Sequence, residues 1–208
     1  MIITAINKDK THLMRVCFEN GSELLLDKDV CIENSLKCSD DISIEKCEEL
    51  KYQSEYLRAK SRALWLLDRM DYTEKTLYSK LLKAGFGAKV CATVLARLTE
   101  LGVVDDMRFA ERFAERCKES NISKREMLQK MLQKGISYDM AKQVIAEIEV
   151  DEGTQLQMLI ERKYAYKLSQ PNGTEKVFAA LVRKGFSYSD VREVLKKYIE
   201  ETDFCEEY

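Results

Sequence analysis

The stretch Leu81-Leu82-Lys83-Ala84-Gly85-Phe86 decides the fold, because its pattern returns twice at an interval of 50 residues. It recurs as Met131-Leu132-Gln133-Lys134-Gly135-Ile136 and as Leu181-Val182-Arg183-Lys184-Gly185-Phe186. A glycine after an apolar helical pattern favours the left-handed backbone conformation that ends a helix. The repetition therefore predicts one helical module used three times, as in tandem-repeat proteins.

Apolar positions on both sides of the glycines keep the same interval. They form four columns: Leu77/Met127/Val177, Cys91/Ala141/Val191, Val94/Val144/Val194 and Leu95/Ile145/Leu195. Within each copy the spacing places the apolar residues on one helical face, the face that packs against a core. We therefore predict that these columns form the interior of three similar modules.

The predicted fold is mainly α-helical: an elongated array of three tandem three-helix repeats, preceded by a small N-terminal β-hairpin or sheet. Pro171 is the single proline, which permits long uninterrupted helices. The predicted domains are a small β-rich region at 1–42, a long helix with the first three-helix repeat at 43–104, the second repeat at 105–152, and the third repeat with an acidic tail at 153–208.

Hydroxyl side chains mark the predicted starts of several helices, because a hydroxyl can accept a hydrogen bond from a free amide of the first turn. The expected caps of the middle helices are Thr73, Ser123 and Thr174, and those of the last helices are Ser137 and Ser187. Ser123 and Glu126 have the spacing of a capping box. We expect residues 168–174 to form a loop inside the third repeat.

The first 30 residues have the pattern of β-strands. Residues 14–18 alternate between apolar and other side chains, and Asn20-Gly21 then precedes another apolar run. Asn-Gly is typical of a two-residue hairpin turn in which both residues have positive φ. We expect two or three strands that pack on helices, because so small a sheet is not stable alone. A long helix from about 44 to 70 should follow, capped by Asp41 or Ser43.

The composition indicates a folded chain in a reducing compartment. Hydrophobic residues make up 45% of the sequence, enough to bury a core. The N-terminus lacks the pattern of a signal peptide, and no apolar run approaches the roughly 18 residues of a membrane span. Seven cysteines without a C-x-x-C pair argue against a disulfide framework and against zinc. We expect a cytoplasmic location, no membrane contact, and Cys91 and Cys117 as reduced core residues.

Charge is distributed unevenly along the chain. Residues 61–199 carry 25 Lys and Arg against 19 Asp and Glu, whereas the remainder carries 9 against 17. One interpretation is that these are ordinary solvated helix faces. The other is a basic face near a phosphate-bearing partner, with acidic ends that limit indiscriminate binding. The sequence leaves both interpretations open.

The sequence contains no recognisable pattern for catalysis or cofactor binding. His12 is the single histidine, and there is neither a P-loop nor a dinucleotide-binding glycine motif. Asp105-Asp106 resembles a magnesium pair, but acids at a helix start more often bond to free amides. Tyr138 and Tyr188 could stack on bases, but repeated aromatics are more often packing residues. We predict no enzyme, no catalytic residue, no cofactor and no metal.

One stretch is more distinctive than the period itself, Gly102-Val103-Val104-Asp105-Asp106-Met107-Arg108-Phe109-Ala110. It is similar to the Gly-apolar-apolar-Asp-Asp-x-Arg-Phe-Ala signature of the RecX family of recombinase regulators. Residues 64–86 and 123–136 resemble that family's first and second repeats, and Lys184-Gly185-Phe186 fits its third. The resemblance covers about residues 60–200.

The resemblance implies an all-α array of three-helix modules that binds the RecA nucleoprotein filament. Proteins of this family lie in the filament groove, span neighbouring subunits, and reduce ATP hydrolysis, strand exchange and co-protease activity. The implied setting is DNA repair, recombination and the SOS response. The implied partners are the RecA filament and the single-stranded DNA within it, with weak direct DNA binding as an additional contact. We expect a monomer.

Basic residues of the repeats are the candidate contacts with filament or nucleic acid. They are Arg69, Lys80, Lys83, Lys124, Arg125, Lys130, Lys134, Arg183 and Lys184. A cation near a helix C-terminus also stabilises the helix dipole by about 0.3–1 kcal/mol without any partner, so a structural role stays open. Thr76 and Ala84 stand where the family usually has Glu and Lys. Ala84 therefore removes one basic position from the first repeat.

Two other functions remain as alternatives. Two helices joined by a glycine turn also describe a helix-turn-helix DNA-binding regulator. Its base-reading side chains would be Arg97, Lys142, Arg192 and Lys196. Glutamates on the same helices disfavour this hypothesis. The repeats alone are also compatible with a helical scaffold for another protein.

Overall fold

The computed structural model describes residues 1–206, with side chains described for residues 1–200. The chain divides into two compact units that meet in sequence between Asp105 and Asp106. The fold is mainly helical with a three-stranded antiparallel sheet at the N-terminus, as predicted.

The sheet consists of β1 (Ile3–Lys10), β2 (Leu13–Phe18) and β3 (Glu23–Asp27), in that spatial order. The hairpin predicted at Asn20-Gly21 is confirmed, but its turn is longer than two residues, because four residues separate β2 from β3. Gly21 has a φ of 80°, and the side-chain Oδ1 of Asn20 accepts hydrogen bonds from the amide and the hydroxyl of Ser22, at 3.0 and 2.6 Å. This side-chain bond two residues ahead stabilises the longer turn.

Two helices cover one face of the sheet, α1 (Lys28–Glu33) and the start of α2 (Ile44–Arg69). Leu26 of β3 and Leu50 of α2 are fully buried in their shared core. Ser54 is also buried, and its hydroxyl accepts a hydrogen bond from the Asp27 amide at 2.6 Å. The long helix predicted from 44 to 70 is confirmed, and Ser43 caps it by accepting the Lys46 amide at 3.1 Å.

The helices after α2 follow the predicted period. The first module combines the end of α2 with α3 (Glu74–Lys83) and α4 (Ala88–Glu100). The second contains α5 (Asp106–Glu119), α6 (Lys124–Lys134) and α7 (Tyr138–Glu147). The third contains α8 (Glu152–Leu159), a π-helical turn (Ile160–Tyr164), α9 (Ala165–Leu168), α10 (Gly173–Arg183) and α11 (Tyr188–Glu206).

The periodic glycines end the middle helices, as predicted. Gly85, Gly135 and Gly185 have φ values of 92°, 93° and 92°, in the left-handed region. The apolar column Leu77/Met127/Val177 is at most 1% exposed, and the column Cys91/Ala141/Val191 is fully buried. Two columns are buried only in part, because Ile145 and Val194 are half-buried whereas the other members of their columns are buried. The repeated pattern therefore produces the same turn in each module and two fully shared buried columns.

Most of the predicted helix caps are confirmed, and one is wrong. Thr73, Ser123, Ser137 and Ser187 each accept an amide of the first helical turn. Thr174 does not start α10, because that helix begins at Gly173 after Asn172, whose φ is 58°. The helix therefore starts two residues earlier than a cap at Thr174 would place it. A Cβ atom at position 173 would overlap the carbonyl oxygen of Lys167, so glycine permits this close approach.

The predicted acidic tail begins inside a helix, since α11 continues to Glu206, while residues 207 and 208 lie outside the described part of the chain. Within residues 1–206, no helix is both long and apolar enough to cross a bilayer. Cys91 and Cys117 lie in the module cores, as predicted, and burial raises the pKa of both thiols.

Replacing the periodic glycines by alanine should destabilise the chain unequally. Gly85→Ala places a Cβ in open space, so only the left-handed backbone resists it, at about 1–2 kcal/mol. Gly185→Ala places a Cβ 2.7 Å from the Ser123 hydroxyl oxygen and should lower the free energy of unfolding by about 1 kcal/mol more than Gly85→Ala does. Urea titrations of both variants give the free energies of unfolding. Equal losses of unfolding free energy in the two variants would contradict the close approach at Gly185.

Thiol alkylation should separate the cysteines by burial. Cys38 is exposed, whereas Cys91 and Cys117 are buried and their raised pKa leaves less thiolate at any given pH. Iodoacetamide at mildly alkaline pH should therefore modify Cys38 first, as located by peptide mass spectrometry. The same reaction in urea should modify all three. Equal rates for the three residues in the folded chain would contradict the buried positions.

Candidate functional site

The nine predicted basic residues divide between the two units. Arg69, Lys80 and Lys83 belong to the first unit, and Lys124, Arg125, Lys130, Lys134, Arg183 and Lys184 belong to the second. Lys124, Lys130 and Lys184 are half-buried, and the other six are exposed. The candidate site therefore consists of separate surfaces, each with its own geometry.

The first surface is built around the single tryptophan and is called the Trp65 cluster. It consists of Arg62, Trp65 and Arg69, whose spacing of three and four residues places them on one face of α2. The guanidinium carbons of Arg62 and Arg69 lie 4.3 and 3.9 Å from the centroid of the indole ring. Such contacts contribute about 0.5–1 kcal/mol each at exposed sites. They hold two guanidinium groups in place while their N–H donors stay available for a carboxylate or a phosphate.

Arg62 is a functional candidate that the sequence reasoning missed, although its spacing from Trp65 and Arg69 is a recognisable signal. Trp65 is 43% exposed and Leu64 beside it is 41% exposed. A shallow groove runs alongside and is lined by Leu64, Trp65, Leu67, Asp68, Asp71 and Val103. Tryptophan and arginine beside exposed apolar groups are the residues that dominate many protein–protein interfaces.

The other two candidates of the first unit lie on the last turns of α3. The Lys80 ammonium is 4.9 Å from the centroid of the Tyr72 ring, and Lys83 is the last residue of the helix. Both positions also stabilise the helix dipole. The geometry therefore allows both the contact role and the structural role that the sequence left open.

In the second unit, a hydrogen-bonded joint connects the second and third modules. Ser123 is fully buried, and its hydroxyl accepts the Glu126 amide at 3.1 Å and donates to the Lys184 carbonyl at 2.6 Å. A Cβ at Gly185 would lie 3.0 Å from the Cβ of Arg125. This Ser123–Lys184 joint brings two predicted residues together, Arg125 and Lys184.

Lys124 has a structural function at the same joint. Its amide donates to a Glu152 carboxylate oxygen at 2.8 Å. A groove of about 560 Å³ begins here, and its charged lining consists of Lys124, Asp151, Glu152, Asp190, Glu193 and Lys197. Hydrogen bonds from the hydroxyl and amide of Thr154 lower the pKa of Asp151, which caps α8. The carboxylates around Lys124 make this groove a poor site for phosphate.

The remaining candidates have local partners within the second unit. The Lys130 ammonium lies 2.8 Å from a Glu126 carboxylate oxygen. The Lys134 ammonium lies 5.4 Å from the centroid of the Phe113 ring, and Arg183 donates from Nε to the Ala179 carbonyl at 3.2 Å. These contacts explain the three side chains without an external partner. Arg125 and the Trp65 cluster are the stronger candidates.

The residues of the helix-turn-helix alternative are partly neutralised. Arg97 lies 3.0 Å from a Glu100 carboxylate oxygen, and Lys196 lies 3.6 Å from that of Glu200. Lys142 and Arg192 are exposed. Ion pairs on two of the four last-helix cations weaken a base-reading surface, and the alternative stays a hypothesis.

Two other interpretations of the sequence can be compared with the structure. Tyr138 and Tyr188 are 54% and 64% exposed, so neither ring is buried in a module core. Tyr188 nevertheless packs edge-on against Phe178, with 4.7 Å between the ring centroids, and the interpretation as packing residues therefore holds in part for Tyr188. Asp106 is the first residue of α5, consistent with the proposed role at a helix start. Among residues with described side chains, no group of three His, Cys, Asp or Glu is placed to hold a metal ion.

Comparison with known proteins identifies similar sequences and folds. Two family models match, "RecX, first three-helix domain" over residues 59–98 and "RecX, third three-helix domain" over residues 151–195. The regulatory protein RecX of Clostridium tetani is 27% identical over 205 residues, which cover 95% of this chain and 94% of that protein. That of Streptococcus uberis is 27% identical over 207 residues, which cover 98% of this chain and 79% of that protein.

Solved structures agree at the level of the fold. A crystal structure of regulatory protein RecX superimposes with a TM-score of 0.69 at 18% identity, covering 94% of this chain and 98% of the other. The crystal structure of RecX from Lactobacillus salivarius gives a TM-score of 0.59 and covers 69% of this chain and 96% of the other.

Removing the hydroxyl of Ser123 should destabilise the second unit more than removing the hydroxyl of Ser137, which caps a neighbouring helix. Ser123→Ala loses the cap of α6 and leaves the Lys184 carbonyl without its hydroxyl donor, with an expected cost of about 2 kcal/mol. Ser137→Ala is the matched control, since this exposed residue caps α7 and should cost about 1 kcal/mol. Urea titrations of the two variants measure their free energies of unfolding. Equal losses of unfolding free energy in the two variants would contradict an energetic role of the Ser123–Lys184 joint.

Proposed function

Because the chain belongs to the RecX family of regulatory proteins, we propose that it is a non-enzymatic regulator of the RecA recombinase. It binds in the groove of the RecA nucleoprotein filament as a monomer. It modulates, mostly by inhibition, the ATP hydrolysis, strand exchange and co-protease activities of the filament. Its setting is DNA repair and recombination in the cytoplasm.

The observation that carries this proposal is the repetition of one module, marked by Gly85, Gly135 and Gly185 with nearly equal φ values. A filament presents the same surface at regular intervals. A chain with repeated modules can contact several copies of that surface, and linked contacts of modest strength then add as avidity. Neighbouring RecA subunits are partners of this repetitive kind.

The two strongest candidate surfaces suit a partner that displays carboxylates and phosphates. The Trp65 cluster holds Arg62 and Arg69 over one indole ring, so less side-chain entropy is lost when they bind. Arg125 is exposed beside the Ser123–Lys184 joint, two residues after the buried Ser123, whose hydroxyl bonds to the Lys184 carbonyl. Arginine forms bidentate hydrogen bonds with both kinds of oxygen acid.

Purified protein should inhibit RecA when added at stoichiometric amounts to filaments on single-stranded DNA. The measurements are the rate of ATP hydrolysis and co-sedimentation with the filament. In the double variant R69E/R125E, the concentration for half-inhibition should rise at least about tenfold, because charge-assisted contacts are replaced by repulsion.

The matched control is R97E/R192E, which changes the net charge by the same amount on helices outside the proposed contacts. It should stay within about twofold of the unmodified protein, since exposed ion pairs contribute little. No effect of the unmodified chain on ATP hydrolysis or filament binding would refute the proposal. Nanomolar selectivity for one duplex in the absence of RecA would instead favour the helix-turn-helix alternative.

A further inference from the structure

The N-terminal sheet has one edge that is only partly covered. β1 pairs with β2 on one side, and among the described residues no strand adjoins its other side apart from one isolated bridge at its start. There the Ile3 amide donates to the Asp40 carbonyl at 2.9 Å, and the Ser39 amide donates to the Ile3 carbonyl at 2.8 Å. The remainder of the strand, Ile6–Lys10, is called the open edge.

The alternation of hydrogen bonds along the sheet shows which backbone groups of the open edge point outward. The Phe18 amide bonds across the turn to β3, so the backbone groups of Phe18 point towards β3. Those of Arg15, three residues earlier, therefore point towards β1, where Asn7 is the partner. The N–H and C=O groups on either side of Asn7, those of Ile6 and Lys8, consequently point away from β2. They are positioned to bond to a further strand.

The side chains of Ile6 and Lys8 lie on the same face of the sheet. Their partners in β2 are Val16 and Met14, which both contribute to the apolar core under the sheet. Ile6 is half-buried against that core, whereas Lys8 is exposed. An added strand would therefore place one side chain beside an apolar group and another, two residues away, beside a cation.

The open edge carries a positive charge that nothing in the described structure compensates. Lys8 and Lys10 are exposed, and neither forms an ion pair with a described side chain. Asp9 between them is bonded to Arg15 of β2 at 2.6 Å. The carboxylate is thus already neutralised, and the two lysines attract an anionic strand.

A second copy of this chain does not suit the open edge. Lysines on an exposed edge strand discourage pairing between copies. An antiparallel pair restricted to residues 6–10 of each copy would place Lys8 directly opposite the partner's Lys8, and like charges in that position are destabilising. The same lysines favour a strand that carries carboxylates.

We propose that the open edge binds an extended acidic segment of a partner protein, which adds a fourth strand to the sheet. Backbone groups of the segment bond to those of Ile6 and Lys8. A carboxylate lies opposite Lys8, and an apolar side chain two residues away packs beside Ile6 and extends the core. The sheet lies outside residues 59–98 and 151–195, which the family models match. The inference goes beyond the proposed function, because binding at this edge requires neither RecA nor DNA.

An NMR titration of the nitrogen-15-labelled full chain with the blocked heptapeptide Thr-Glu-Thr-Val-Thr-Glu-Thr tests the proposal. This peptide reads the same in both directions, and on one face it offers an apolar side chain between two carboxylates. The amide signals of Ile6 and Lys8 should shift to saturation, and their hydrogen exchange should slow because both amides gain acceptors. A peptide methylated at the nitrogens of Val and both Glu keeps its charge but loses these donors, so it should bind at least about tenfold more weakly.

Charge reversal tests the side-chain part of the proposal. Lys8→Glu should weaken binding of the acidic peptide about fivefold and should instead favour the peptide with Lys in place of Glu. The matched control is Lys51→Glu, an equal charge change at an exposed position of α2, which should stay within about twofold of the unmodified chain.

Three results would overturn the assignment: no saturable shifts at Ile6 and Lys8, equal binding of the methylated peptide, or equal losses in the two variants. Shifts of these two signals that depend on protein concentration without peptide would identify a second copy as the occupant and would also overturn it. Inhibition of RecA is not part of these measurements, so the two proposals can fail separately.

Discussion

The left-handed glycine at the end of each middle helix is the constraint on which the modules depend. The amide of the residue after the glycine bonds five residues back, from Phe86 to Leu81 at 3.3 Å and from Ile136 to Met131 at 3.1 Å, and Phe186 repeats the pattern. This bond closes the helix and returns an apolar side chain to the core. It also sets where the next helix starts, so the apolar columns before and after the turn meet in one interior. A side chain with a Cβ would resist this backbone conformation at every copy.

The cationic side chains of the repeats differ in what holds them. Lys130 and Arg97 are paired with carboxylates on their own helices, which reduces their attraction for another anion. Arg69 rests on an indole ring, which orients the guanidinium without neutralising its charge. Arg125 is held through its backbone by the Ser123–Lys184 joint. Cations that look equivalent in the sequence therefore differ in their capacity to bind another anion. This difference is visible only from their side-chain contacts in the structure.

The sequence predicted the features that local backbone energetics determine. The glycine turns, the caps at Ser123 and Ser137 and the buried column Leu77/Met127/Val177 were all confirmed. It failed where packing decides: α10 starts at Gly173 because two backbones touch, and a π-helical turn at Ile160–Tyr164 interrupts the first helical segment of the third module. Of the candidate site, residue types and positions were predictable, but the location of Arg125 and Lys184 at one joint between modules depends on tertiary packing. The elongated arrangement of the modules stays a prediction.

Each apolar cluster is built from residues that are close in the sequence. The sheet cluster lies within residues 1–57, and the module clusters lie within 52–104, 107–150 and 156–198. Cores made of such local contacts form quickly, and each is complete once its own stretch of about 50 residues has been synthesised. The N-terminal unit can thus be folded before translation of the third module begins. During synthesis, the nascent chain then exposes mainly the apolar residues of the module that is still incomplete. This limits the apolar surface that is available for aggregation.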